Sequence, residues 1–195
     1  SKKIINIPNL IIIGHHPSEL PLNRGKHPLI WSIFLGLKST ASSFFVMDYG
    51  IDTGKIIDQK RINIKKNSSV LHLYKSVQKA VSLQIVKISN NIRNNSPNKL
   101  YIGKQKKISK SSNYWRKRHQ EDGKIDFRMN SQSILNLINS LSKPYAGAHI
   151  EIMNKKYKVW KAKIVKNNKD NNVEPGKIIK KNNNLLTIKT YDSAI

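Results

Sequence analysis

The run from Ile4 to Ile13 is rich in β-branched residues and ends at Gly14, and prolines follow at 17, 21 and 28. That order restricts the fold more than any other feature. A short β-branched run reads as a buried strand, and this one delivers His15 and His16 at its carboxyl end. Neither Pro17 nor Pro21 can sit in a helix interior or a central strand, so an irregular loop must follow. Pro28 suits the first position of a helix running to about Gly36, with Leu29, Ile30, Ile33, Phe34 and Leu37 as its apolar stripe. Ala41 to Met47 reads as the next strand. Asp48-Tyr-Gly-Ile-Asp-Thr-Gly54 is a glycine-punctuated turn, and Lys55 to Ile64 returns as a strand.

Ser68 or Ser69 caps a long amphipathic helix carrying Leu71, Leu73, Tyr74, Val77, Val81, Ile85 and Ile88, which dissolves at Asn94-Asn95-Ser96-Pro97. Residues 98–124 are basic and poorly periodic, a long connection. A helix over Ser131 to Leu141 is stopped by Pro144. Short strands then follow at Ala148 to Met153, Tyr157 to Val165, Lys177 to Ile179 and Leu185 to Thr190, with Pro175-Gly176 as a turn. The expected organisation is an α/β domain over 1–97, a helical and basic connection over 98–146, and a small β-rich module, an open barrel, over 147–195. A doubly wound sheet normally opens with a strand, a glycine turn and a helix, none of which precedes Ser1. The reading therefore expects only part of a Rossmann-like sheet, completed by a partner chain or within a homodimer.

Hydrophobic residues at 38% and charged ones at 24% suffice for a folded core. The absence of cysteine excludes disulfides, thiolate nucleophiles and cysteine zinc sites, and fits the cytoplasm. No apolar run approaches the roughly 20 residues of a membrane span, and no signal peptide is visible. The 36 Lys and Arg against 11 Asp and Glu give a formal charge of +25. Such an excess attracts polyanions, tRNA included. The other reading is compositional drift: Asn, Lys and Ile are abundant throughout, including in loops such as Lys166 to Asn172 and Lys180 to Asn184, and dispersed lysine of that kind reads as solvated surface.

The chemistry concentrates in Gly14-His-His-Pro-Ser-Glu-Leu-Pro-Leu-Asn-Arg-Gly-Lys-His-Pro28 and Met47-Asp-Tyr-Gly-Ile-Asp-Thr-Gly54. Each segment holds a titratable residue on a rigid turn at the carboxyl end of a strand, where open α/β sheets place their ligand sites. An imidazole titrates near neutral pH, and a nearby carboxylate orients it and favours its protonated form. The pair His16 and Asp52 therefore suits deprotonation of an attacking amine. The adjacent His15 and His16 lack the clustered carboxylates or cysteines of a metal shell, so no metal is expected. Arg24-Gly-Lys26, before a helix N-terminus, suits an anion. Lys104 to Arg118, with Tyr114 and Trp115, suits either a diphosphate and a stacked base or a solvated connection whose tryptophan packs on the core.

Together, His16-Pro-Ser-x-Leu-Pro-x-x-Arg-Gly25, Asp48-x-Gly-x-Asp-Thr-Gly54, Trp115-Arg-Lys-Arg118, Asp122-Gly-Lys-Ile-Asp126 and Lys143-Pro-Tyr-Ala-Gly-Ala148 resemble the folate-dependent formyltransferases. That family includes methionyl-tRNA formyltransferase and enzymes that N-formylate nucleotide-linked amino sugars. The resemblance spans about Ile4 to Ala148. It implies a formyltransferase-type Rossmann-like sheet followed by a β-rich C-terminal domain. It also implies formyl transfer from 10-formyltetrahydrofolate to a primary amine, without a covalent enzyme intermediate or a metal. His16 would be the base and Asp52 its support. Asp48, Tyr49, Gly50, Ile51 and Asp52 would line the folate pocket, and Ser18, Arg24, Gly25, Trp115 and Arg116 would bind the acceptor. Arg24-Gly-Lys-His-Pro-Leu-Ile-Trp31 is closer to the sugar-nucleotide branch; the alternatives are a tRNA acceptor or a non-catalytic fragment. One position departs from the family. Gly14 stands where the family carries an asparagine that helps hold the oxyanion, and losing one such donor costs on the order of a hundredfold in rate. Three outcomes are then open: His15 replaces it, a backbone N–H replaces it, or catalysis is weak or lost.

Overall fold

The computed structural model describes residues 11–94, 113–166, 170, 172–182 and 185–195. The expected strand before Ile11, the connection over 98–112 and parts of the two lysine-rich loops lie outside the described residues. In chain order the elements are β1 (Ile13–His16), β2 (Arg24–Gly25), α1 (Pro28–Phe34), β3 (Ser39–Val46), β4 (Ile56–Asn63), α2 (Val70–Asn94) and β5 (Tyr114–Trp115). A short 3-10 helix (Gln120–Gly123) comes next. Then follow α3 (Ser131–Ser140), β6 (Ala148–Ile152), β7 (Lys155–Val159), β8 (Ile178–Asn182) and β9 (Leu185–Ile188). These form two compact units: residues 1–29, 38–64 and 72–118, and residues 30–37, 65–71 and 119–195.

The first unit is built on an antiparallel sheet in the order β1-β3-β4. Successive side chains of a strand point to opposite faces. On one face Ile13, Phe44 and Ile57 pack with Val81, Ile88 and Ile92 of α2. Polar contacts set the helix register: Gln84 Nε2 donates to the Ser42 carbonyl at 3.1 Å and to Asp58 at 2.8 Å, and Lys87 reaches Asp58 at 2.6 Å. Between β3 and β4, Val46 N–H donates to the Lys55 carbonyl at 2.8 Å. A Cβ on Gly54 would collide with the Val46 carbonyl oxygen, so glycine closes this turn.

The loop after β1 has no regular structure, yet side chains from the sheet hold its carbonyls. Thr40 Oγ1 donates to Pro17 O (3.2 Å), Ser43 Oγ to Ser18 O (2.6 Å) and Gln59 Nε2 to Leu20 O (3.0 Å). Carbonyls that leave water need such partners, and these three bonds tie the loop to the sheet. A second surprise lies in the basic connection. β5 pairs parallel with β2, Arg24 opposite Tyr114 and Gly25 opposite Trp115.

The second unit packs around α3, where Ile134, Leu137 and Ile138 bury against Ile125 and Ala148. Asn130 caps α3 by accepting from Ser133 N–H at 2.7 Å. Asp192 Oδ1 accepts from Ser131 N–H (2.7 Å) and Ser131 Oγ (2.8 Å). Burial alone would raise the Asp192 carboxyl, but hydrogen bonds from Ser131, its own backbone and Thr190 together hold it below its ordinary value. An anion at the helix N-terminus also meets the favourable end of the dipole.

Three of the four C-terminal strands are shorter than the sequence suggests, while β8 runs on to Asn182. Met153 and Asn154 adopt φ of 48° and 61°, the two left-handed residues of a tight hairpin turn between β6 and β7. The second hairpin strand thus begins at Lys155 and ends at Val159 rather than running from Tyr157 to Val165. Val165 makes only an isolated bridge to Ala194. Among the described residues β6–β7 and β8–β9 are separate two-stranded ladders. No helix among the described residues is long and apolar enough to cross a membrane.

Candidate active site

β1 ends on His16, and the hairpin following β3 carries Asp52. The fold brings them together: His16 Nδ1 lies 3.5 Å from Asp52 Oδ2, with the imidazole buried and the carboxylate partly exposed. His16 Nε2 lies 2.9 Å from the carbonyl oxygen of Asn23. A carbonyl only accepts, so Nε2 carries a hydrogen and the tautomer is fixed from that side. The carboxylate lies at the other ring nitrogen, Nδ1, so both nitrogens of the ring face acceptors. Only an imidazolium satisfies both; a neutral ring leaves the Nδ1 lone pair facing Oδ2. A proton donor entering between these atoms, such as an amine, would resolve that mismatch.

The loops around the pair are held in uncommon backbone conformations. Asn23, His27 and Asp52 have φ of 59°, 57° and 55°. Asn, Asp and His are the side-chain-bearing residues that tolerate this region best. Asp52 is anchored by the Gly25 N–H, which donates to Oδ2 at 2.9 Å. Asn23 is locked to Asn113 in both directions: Asn23 N–H donates to Asn113 Oδ1 at 2.7 Å, and Asn113 Nδ2 donates to Asn23 Oδ1 at 2.9 Å. Arg24 N–H adds a bond to Asn113 O at 3.3 Å, and Lys26 N–H one to Trp115 O at 2.9 Å. Asn23 and Asn113 were not among the candidates read from the sequence. Asn-Arg-Gly is a turn signature, but nothing local in the sequence marks the partner ninety positions away.

Gly25 has φ of 101°, and a Cβ there would run into the Trp115 carbonyl oxygen. Gly25→Ala is therefore expected to break the β2–β5 pairing and to pull the N–H away from Asp52. The expected cost is about 1–3 kcal/mol, typical of a strained backbone position. Urea unfolding checks it; an unchanged midpoint would show that the close approach does not constrain the loop.

Asp48 closes its own loop, accepting from Gly50 N–H at 3.0 Å and Thr53 Oγ1 at 2.6 Å. That geometry leaves Tyr49 and Ile51 exposed, at 65% and 58%, beside the half-buried Asp52. Ser18 is fully buried and its hydroxyl donates to Leu22 O at 2.9 Å, so it shapes the loop from inside. Trp115 is buried too. Arg116 is exposed, with Nη1 on the Lys117 carbonyl at 3.0 Å. Arg24 is half-buried, and its Nε makes no hydrogen bond among the described residues.

His15 does not stand in for a missing oxyanion donor. It points to the opposite face of β1 from His16, bonds Ser42 Oγ at 2.9 Å and lies against the Phe44 ring at 4.9 Å. Burial, and then the neighbouring His16, lower its imidazole below the ordinary value, so it is neutral at pH 7. Gly14 faces the His16 side, where a Cβ would meet Phe45 Cζ at 2.9 Å and Met47 Cγ at 3.0 Å.

Residues 1–88 match the formyl transferase family model and residues 117–195 match the model of the formyl transferase C-terminal domain. The chain is 34% identical over 164 residues to the bifunctional polymyxin resistance protein ArnA of Wigglesworthia glossinidia brevipalpis, covering 84% of this chain and 24% of that one. It is 30% identical to the methionyl-tRNA formyltransferase of Caldanaerobacter subterraneus subsp. tengcongensis over 100% of this chain and 60% of the relative. It thus spans less than two thirds of either relative. In fold it resembles the N-formyltransferase of Helicobacter canadensis, solved with folinic acid and dTDP-3-aminofucose, with a TM-score of 0.71 at 24% identity over 94% of this chain and 64% of that one. With the formyl transferase model matched first along the chain and the model of the C-terminal domain after it, the chain belongs to the formyl transferases.

Proposed function

We propose that this chain transfers a formyl group from 10-formyltetrahydrofolate to the primary amine of a nucleotide-linked amino sugar. The observation that carries the reading is the His16–Asp52 pair, with Nδ1 and Oδ2 3.5 Å apart on one side of the ring. An amine entering there gives up a proton to the pair as its nitrogen attacks the formyl carbon. The tetrahedral intermediate then collapses, the bond from that carbon to folate N10 breaks, and the proton passes to the departing N10. Asp48, Tyr49, Gly50 and Ile51 form the folate side. Arg24, Gly25 and Arg116 form the acceptor side, with Ser18 and Trp115 supporting it from within. No side chain at Gly14 donates to the oxyanion, so a backbone N–H takes that role.

A sugar acceptor is supported by the Arg24-Gly-Lys-His-Pro sequence and by the sugar-bound relative in fold. A second reading, an initiator-tRNA acceptor, is favoured by the +25 charge and by the relative aligned along the whole chain. Salt separates them. A tRNA acceptor making about 6–10 phosphate contacts would lose about 10³–10⁵ in affinity between 50 and 200 mM salt, whereas a nucleotide sugar shows a shallow slope. The full-length polypeptide, given 10-formyltetrahydrofolate and dTDP-linked amino sugars, is expected to release tetrahydrofolate with little dependence on salt. Turnover with charged initiator tRNA alone, steeply salt-sensitive, would overturn the sugar assignment.

A further inference from the structure

We propose that Glu121, His149 and Glu151 hold a divalent transition-metal ion of the zinc class in the C-terminal unit. One ligand atom from each of the three lies within 4.8 Å of the others. His149 and Glu151 are two apart on β6 and so share a face, while Glu121 comes from the 3-10 helix beside it. A bridge between Lys124 and His149, with Ile125 N–H donating to His149 O at 2.8 Å, joins the two segments.

The decisive feature is His149. It is 1% exposed, and neither ring nitrogen has a hydrogen-bond partner among the described residues. A buried polar ring left unsatisfied on both sides is costly, and it is aimed at two carboxylates. A ring nitrogen that no other group occupies has a lone pair to offer a metal ion.

One imidazole and two carboxylates form a borderline donor set that suits zinc. Ligand atoms around a tetrahedral zinc sit about 3.4 Å apart, so the exposed glutamates need to swing inward by only a little over an ångström. Lys124 and Lys156 now occupy the glutamate oxygens, Lys156 at 2.8 Å from Glu121 and 3.5 Å from Glu151. Both lysines are on the surface and can return their ammonium groups to water when a cation replaces them. They are competitors, which gives the site a distinctive signature.

Calorimetric titration of the full chain with zinc sulfate is expected to show saturable binding and a raised melting temperature. His149→Gln and Glu151→Gln should each weaken it about tenfold or more. Lys156→Met should tighten it by removing a competing cation, an effect that misfolding or adventitious binding at His15 and His16 would not produce. The proposal is overturned if no saturable zinc binding occurs, or if Glu151→Gln and Lys156→Met bind zinc as the unaltered chain does. Glu151 is exposed, so its variant tests the site even if His149→Gln unfolds. Neither outcome bears on formyl transfer.

Discussion

His16→Ala is expected to slow formyl transfer by about 10²–10⁴-fold while leaving the fold intact, since general acid–base catalysis supplies an effect of that size. The alanine removes the proton acceptor and also frees the Asn23 carbonyl, now bonded to Nε2 at 2.9 Å. Water can satisfy that carbonyl, so the stability penalty should be small beside the kinetic one. Asp52→Asn is the sharper companion. Its carboxamide oxygen can still accept from Gly25 N–H and preserve the loop, but it cannot take a proton or stabilise an imidazolium. It should therefore depress kcat and leave KM for the folate nearly unchanged. Initial rates of tetrahydrofolate release for both variants, with thermal melts as a control on folding, decide the matter. Turnover within tenfold of the unaltered chain in both would remove the pair from the proton's path.

Ile134→Ala is expected to destabilise the C-terminal unit by about 2–5 kcal/mol, the range for deleting a large aliphatic side chain from a packed core. Ile134 is fully buried in α3, with Leu137 and Ile138 beside it and Ile125 and Ala148 opposite. The helix's N-terminus is also tied by Asn130 and Asp192, so the site has little freedom to collapse around the cavity. That rigidity puts the expected loss toward the upper part of the range. Denaturant unfolding followed by circular dichroism measures it. A loss below about 1 kcal/mol would mean that the helix relaxes into the gap, contrary to the packing described.

The sequence exposed those parts of the molecule whose causes are local. Helical periodicity placed α2 and α3 to within a residue or two, because their apolar stripes recur at helical spacing and Asn130 caps the second. Gly54 marked the hairpin between β3 and β4 for a steric reason that acts within a few residues. Causes that act across long separations were illegible. The β2–β5 pairing joins residues ninety positions apart in a stretch with no periodic signal. The same holds for Asn113, which fixes the Asn23 carbonyl and through it the tautomer of His16. His15 shows a different limit. The pattern put two histidines side by side, but only the strand's alternation, visible once β1 pairs with β3, sends one toward Asp52 and the other toward Phe44.

The ring of Phe45 crowds position 14. A Cβ there would meet the ring tip at 2.9 Å and Met47 Cγ at 3.0 Å, so an asparagine fits only where those side-chain ends shift. Phe45 is itself buried and stands opposite Gly14 across the β1–β3 ladder, so any side chain added at 14 has to be accommodated by the packing of that sheet.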